Sequence, residues 1–275
     1  MSPSTRRTAA IIVWSIIGTV ACGGGSASPT SPTATATAST TSTTTSTSTT
    51  GAATSGPTTW SFNGSTWVAS GTPPACTTPL TFELPVDLAK VTSILYPGQT
   101  RGEYKPHGGF RFDGAGTTND IAVSMPMAGT IYRGARYLTG GEIQYEFDFI
   151  NDCGLMHRLG HLRDLSPKFA ALAATLPVAV EGDSRTTNFA AGLTVAAGER
   201  VATAVGLRTT SNAFLDWGVY DLRQRNAASA NPQWLAAHPG DLAPYAICWL
   251  DNVTSSVKAL PPADPTAGRT SDFCK

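Results

Sequence analysis

From Gly23 to Pro57 the chain consists only of Gly, Ser, Thr, Ala and Pro, with no charge and no aromatic ring. Such a stretch cannot bury enough apolar surface to offset the entropy of ordering its backbone, so it is expected to stay disordered. Any fold must therefore be built from residues 58–275. As a coil of roughly 5–6 Å times the square root of its length, the tract serves as a spacer of some tens of Å.

What precedes the spacer explains its purpose. Arg6 and Arg7 stand before an uncharged, mostly apolar run, residues 9–21, that stops at Cys22. As a helix this run rises only about 20 Å against a hydrocarbon core of roughly 30 Å, which suits a signal peptide over residues 1–21 better than a permanent span. Small residues before a cysteine suit a lipoprotein signal peptidase, although Thr19 stands where a lipobox usually has Leu. The expectation is an exported lipoprotein, anchored through Cys22 at the periplasmic or extracellular face of a membrane, with residues 22–57 as linker. Ordinary cleavage near Ala21, giving a soluble secreted protein, is the alternative.

The 19 basic and 19 acidic residues balance, so nothing electrostatic points to nucleic acid as a partner. Beyond Cys22 four cysteines remain, Cys76, Cys153, Cys248 and Cys274, an even number that reads as two disulfides in an oxidising compartment. Three pairings are possible. Cys248–Cys274, clipping the C-terminal tail, is preferred, with Cys76–Cys153 by elimination.

From residue 58 the pattern is mainly strand. Asn63-Gly64 lies between alternating aromatics, Trp60, Phe62 and Trp67, a hairpin signal. Further runs at residues 109–113, 121–125, 129–133, 143–150, 201–205 and 215–222 are punctuated by Gly and Pro, which favours antiparallel sheet over βαβ units. Ser166-Pro167 opens a helix over residues 168–175, and residues 232–237 and 244–251 are short helices in the tail. The fold class expected is mainly β: one antiparallel domain over residues 95–222, with a hairpin and lead-in at 58–94 and a disulfide-clipped tail at 223–275.

Three segments carry chemistry. They are His107-Gly108-Gly109-Phe110-Arg111-Phe112, Leu159-Gly160-His161-Leu162 and Phe214-Leu215-Asp216-Trp217-Gly218, with Pro126-Met127-Ala128-Gly129 and Ala197-Gly198-Glu199 between them. Their order and spacing resemble the M23 (LytM-like, lysostaphin-like) zinc peptidases, which cut peptidoglycan cross-bridges, over about residues 96–221. The resemblance implies an antiparallel LytM-like β-sheet domain. It also implies a zinc site held by the His and Asp of a His-x-Gly-x-Asp strand and the second His of a His-x-His strand, with two further His assisting the attacking water.

Carried over, His107 matches the first ligand and His161 the catalytic His. Arg111 stands at the ligand Asp, Phe214 at the first His of the pair and Asp216 at the ligand His. A catalytic zinc needs three protein ligands and an open position, and a guanidinium does not serve as one. Phe214 cannot move a proton or orient a water. His107, Arg111 and Asp216 are therefore read as a vestigial metal site, and His161 and Phe214 as vestigial catalytic positions, with no cofactor. Arg111 and Asp216 are expected to form an ion pair where the metal would sit. A zinc site re-formed from His107, His161 and Asp216 is the other possibility.

The function expected is a non-catalytic cell-envelope protein binding peptidoglycan or a partner cell-wall hydrolase. The alternatives are an active zinc endopeptidase with a remodelled site, and a structural envelope protein. Residues 181–185 are expected to form a loop that closes over the groove or is merely solvated.

Overall fold

In the computed structural model, which describes residues 58–114 and 118–275, the aromatic pattern at the start of the fold forms a hairpin. β1 (Trp60–Phe62) pairs antiparallel with β2 (Trp67–Ala69), with Phe62 opposite Trp67. The Asn63 side chain shapes the turn, accepting hydrogen bonds from the backbone N–H groups of Ser65 and Thr66 at 3.0 and 2.9 Å. The signal peptide, Cys22 and the linker lie outside the described residues.

The remaining strands are β3 (Ser93–Leu95), β4 (Gln99–Arg101), β5 (Glu103–Lys105), β6 (Gly108–Arg111), β7 (Val123–Ser124), β8 (Gly129–Thr139) and β9 (Glu142–Ile150). After these come β10 (Leu155–Leu165), β11 (Thr187–Val195), β12 (Arg200–Val205) and β13 (Phe214–Asp221). Nine of them form one antiparallel sheet, ordered β11-β8-β9-β10-β13-β6-β3, with β12 joining β10 to β7. β4 and β5 form a separate ribbon.

Period-two alternation gives this sheet two unlike faces. On one, Phe147, Phe149, Leu159, Leu215, Trp217 and Val219 are buried in the main core. On the other stand Glu146, Asp148, Arg158 and Asp216, whose charged groups meet one another and two histidines.

β10 makes the arrangement that matters most. Its residues Leu155–Gly160 pair with β13, but from Leu162 onward the same edge pairs with β12. At the changeover the β9 register slips between Leu159 and Leu162, a bulge with one extra residue on β10. Leu159 and Leu162 are thereby both kept in the core, and Gly160 and His161 both fall on the polar face. His161 takes φ of 59°, an uncommon conformation for a residue with a Cβ, and its carbonyl accepts from Gly206 N–H at 2.8 Å.

α1 (Pro167–Ala173) follows its Ser166-Pro167 start and buries Phe169 and Ala173. In the tail, α2 (Pro232–Ala237) is capped by Asn231, and α3 (Ser255–Lys258) buries Val257. The helix expected over residues 244–251 is instead two 3-10 turns, Ala243–Tyr245 and Trp249–Asn252. The second carries Trp249 into the core, with its ring centroid 4.5 Å from that of Trp217. Boundaries expected near residues 95 and 222 fall inside the fold, since β3 pairs with β6 and Ile94 bridges to Pro262 of the tail.

Two disulfides close the structure, Cys76–Cys153 and Cys248–Cys274. They belong to an oxidising environment, as in exported proteins. Among the described residues no helix is long and apolar enough to cross a membrane. The Cys248–Cys274 bridge spans 26 residues. Replacing both cysteines by serine is expected to cost on the order of 2–3 kcal/mol of stability, read as a lower urea midpoint with a steeper slope, because the unfolded chain loses a cross-link and expands.

Candidate functional site

Asp216 is flanked on both sides by glycine. β13 places it opposite Gly109 of β6 and opposite Gly160 of β10. A Cβ at Gly160 would lie 3.3 Å from the Asp216 Cβ and 3.5 Å from Glu146 Oε2, whereas one at Gly109 would collide with the Leu215 carbonyl. These two positions leave a hollow in the polar face. His107, just before β6, and His161, lifted by the bulge, both reach into it.

There the Asp216 Oδ2 lies 3.0 Å from His107 Nε2 and 3.2 Å from His161 Nε2. His161 Nδ1 is 2.5 Å from Gln144 Oε1, and the Gln144 amide N–H donates to the Gly206 carbonyl at 2.8 Å. That second bond turns the Gln144 oxygen toward the ring, so Nδ1 is the donor and Nε2 faces Asp216. Tyr137 Oη accepts from the His161 backbone N–H at 3.2 Å and holds the strained residue in place.

Burial alone pushes the Asp216 carboxyl up, but His107 and His161 outweigh it and hold the group well below the usual carboxylate range. Burial pushes His107 down, and Asp216 opposes this only in part. His107 Nδ1 is enclosed without a hydrogen-bond partner among the described residues.

The structure corrects the role expected of Arg111. Its guanidinium pairs with Asp113, two residues along the same face, and lies over the Phe214 ring at 5.7 Å, not against Asp216. The reason is register: Arg111 stands opposite Phe214, and Asp216 opposite Gly109, two residues further along β6. Phe214 packs on His161, with centroids 4.0 Å apart. The five positions thus divide into a central cluster of His107, His161 and Asp216 and a rim of Phe214 and Arg111.

Beside the cluster lies an ion network that the sequence reading missed. Arg158 forks onto Asp148 at 2.7 and 2.8 Å and reaches Glu146 at 3.1 Å. Arg133 joins Asp148 at 2.6 Å and Asp241 at 2.5 Å. Asp148 is fully buried; burial raises it, but Arg158 and Arg133 together hold it below its ordinary value. Glu146 is pushed up to about 7 by burial, with Arg158 pulling the other way. The signal was present in β9, where Glu142, Gln144, Glu146 and Asp148 alternate with Ile143, Tyr145, Phe147 and Phe149.

Arg133, Glu146 and Arg158 floor a groove of about 1010 Å³. Residues 181–186 form one wall and residues 237–243 another, with Tyr104 and Pro106 completing it. The 181–185 loop therefore does border the groove, and so does the His238-Pro239-Gly240 loop. Trp217 and Tyr220 of β13 are both fully buried and take no part in the groove. His157, four residues before His161, sits in the core, where its Nδ1 accepts from Trp217 Nε1 at 3.1 Å.

A zinc ion would have to be held by the side chains of this cluster. With Arg111 on the rim, the side chains left are His107, Asp216 and His161, and they crowd one carboxylate oxygen. Among the described residues no group of three or more His, Cys, Asp or Glu is arranged to hold a metal ion. Phe214, standing where the resemblance implies a group that handles the water's proton, cannot serve a catalytic zinc in that way. No family model, curated protein or solved structure matches the chain significantly.

Proposed function

We propose that this chain is a cell-envelope lipoprotein with a LytM-like β-domain, tethered through Cys22, that binds peptidoglycan peptides or a partner wall enzyme without cutting them. The observation carrying this reading is the charged groove beside a cluster whose peptidase positions are altered. Arg133, Glu146 and Arg158 offer both signs of charge to a zwitterionic peptide, and Phe214 fills the place of a proton-transfer group. The two disulfides support an oxidising compartment outside the cytoplasm.

Co-sedimentation of the mature chain with isolated peptidoglycan tests the binding. Retention is expected, and it should weaken in Arg185→Glu, whose side chain lines the groove wall and is 90% exposed, so that the fold is left alone. No retention would leave the structural envelope role.

A metallopeptidase reading keeps one observation in its favour. His107, His161 and Asp216 do converge, and Glu146, shifted to about 7, stands beside them as a group able to take a proton. Stoichiometric zinc in the purified chain, lost together with hydrolytic activity on chelation, would replace the proposal with that reading.

A further inference from the structure

Over Gly160, hydrogen-bond acceptors gather without donors to match them. A Cβ there would lie 3.5 Å from Glu146 Oε2 and 3.9 Å from Asp216 Oδ2, so the missing side chain leaves the space between two carboxylates open. Glu146 also lines the groove, which joins that space to it. With Nδ1 of His161 donating to Gln144, Nε2 turns a lone pair toward the Asp216 oxygen at 3.2 Å. His107, only 8% exposed, points Nε2 at the same oxygen from 3.0 Å. Neither of its ring nitrogens makes a directed hydrogen bond among the described residues.

The cations nearby are held elsewhere. Arg158 is taken by Asp148 and Glu146, Arg133 by Asp148 and Asp241, and Arg111 by Asp113. Arg101, whose charge reaches Asp216, donates to the carbonyls of Tyr96 and His107. Arg101, Arg133 and Arg158 stand against Glu146, Asp148, Asp216 and Asp241, three charges against four, which leaves one carboxylate without a cation. Burial lifts the Glu146 carboxyl to about 7 against the pull of Arg158, and Asp148 and Asp216 add to the rise.

We infer that this hollow seats a primary ammonium of the ligand, so that the groove selects peptides bearing a free amino group. The inference deepens the proposed binding role and rests on it for the polymer involved. An ammonium brings three N–H donors, matching Asp216 Oδ2, Glu146 Oε2 and His161 Nε2, and its bonds to carboxylates are charge-assisted. Zinc needs lone pairs converging on one centre, whereas both histidines here point at a single carboxylate oxygen. Arg185 on the outer wall, 90% exposed, is left to meet the acidic part of such a peptide.

The test is titration of the mature chain at pH 8 with Nα-acetyllysine methylamide, followed by amide chemical shifts, with the Nε-acetylated compound as the uncharged probe. Expected are saturable shifts at residues 146, 160, 161 and 216 with the amine and none with the acetylated compound. Asp216→Asn, which keeps the shape and removes the charge, should weaken amine binding by about tenfold or more. Glu146→Gln should do likewise, and serves should the first variant not fold. Absence of saturable shifts with the amine, equal binding of the acetylated compound, or unchanged affinity in the folded variant overturns the inference. Acetylating the free amino groups of isolated peptidoglycan should also lower its retention of the chain. Undiminished retention overturns the ammonium seat and leaves wall binding standing. Retention by neither preparation removes the wall reading, and the amine titration still decides the seat.

Discussion

Arg158→Met is expected to lower the free energy of unfolding by about 3–5 kcal/mol, the loss seen when one member of a buried ion network is removed. Arg158 is the residue through which Asp148, with no solvent exposure, and Glu146 are both compensated. Methionine fills much of the same space, so the loss comes from stranded carboxylates and not from a void. Urea denaturation reads it as a shifted midpoint with an unchanged slope. A change under about 1 kcal/mol would mean that water reaches the network and screens it. The same variant should weaken ligand retention, because Arg158 floors the groove.

Acid is expected to destabilise the fold through His157, which burial holds down to about 3. Between the ordinary histidine value of about 6.5 and that depressed value, the unfolded chain carries a proton that the folded one refuses. Stability is therefore full above about 6.5 and falls by roughly 1.4 kcal/mol per pH unit below it, about 3 kcal/mol by pH 4. Glu146 acts with the opposite sign. Raised to about 7, it binds its proton more readily when folded and so favours the fold as pH falls from 7 toward its unfolded value. His107, Asp148 and Asp216, all held below their ordinary values, also lose stability in acid, so the comparison must be with His157→Leu, which removes one contribution and leaves the others. Urea titrations of both chains at pH 7 and pH 4 should show the gap between them changing by about 3 kcal/mol. A constant gap would contradict a neutral, buried His157.

The elements that the sequence announced are those made by local chemistry. Asn63-Gly64 turns the first hairpin, Ser166-Pro167 starts α1, and Pro232 starts α2 behind its Asn231 cap. β11 was not seen, because none of its first eight residues is buried and six are exposed, leaving no apolar alternation to read. The site was half legible. His107, His161 and Asp216 were singled out by the order of their motifs, and they do meet. Arg111 was aimed wrongly because strand parity says which face a side chain shares but not which partner captures it; Asp113 was nearer than Asp216. The bulge that lifts His161 arises where β10 leaves β13 for β12, a consequence of long-range pairing that no local window contains. The Arg133–Asp148–Arg158–Glu146 network likewise needs three strands side by side before its charges find one another.

The proposed function is binding without cutting. The most direct test incubates the mature chain with purified peptidoglycan in zinc-containing buffer and measures both the protein retained and the soluble fragments released. The account predicts retained protein with no release above a buffer control. Fragment release that disappears with a chelator and returns with zinc would contradict it.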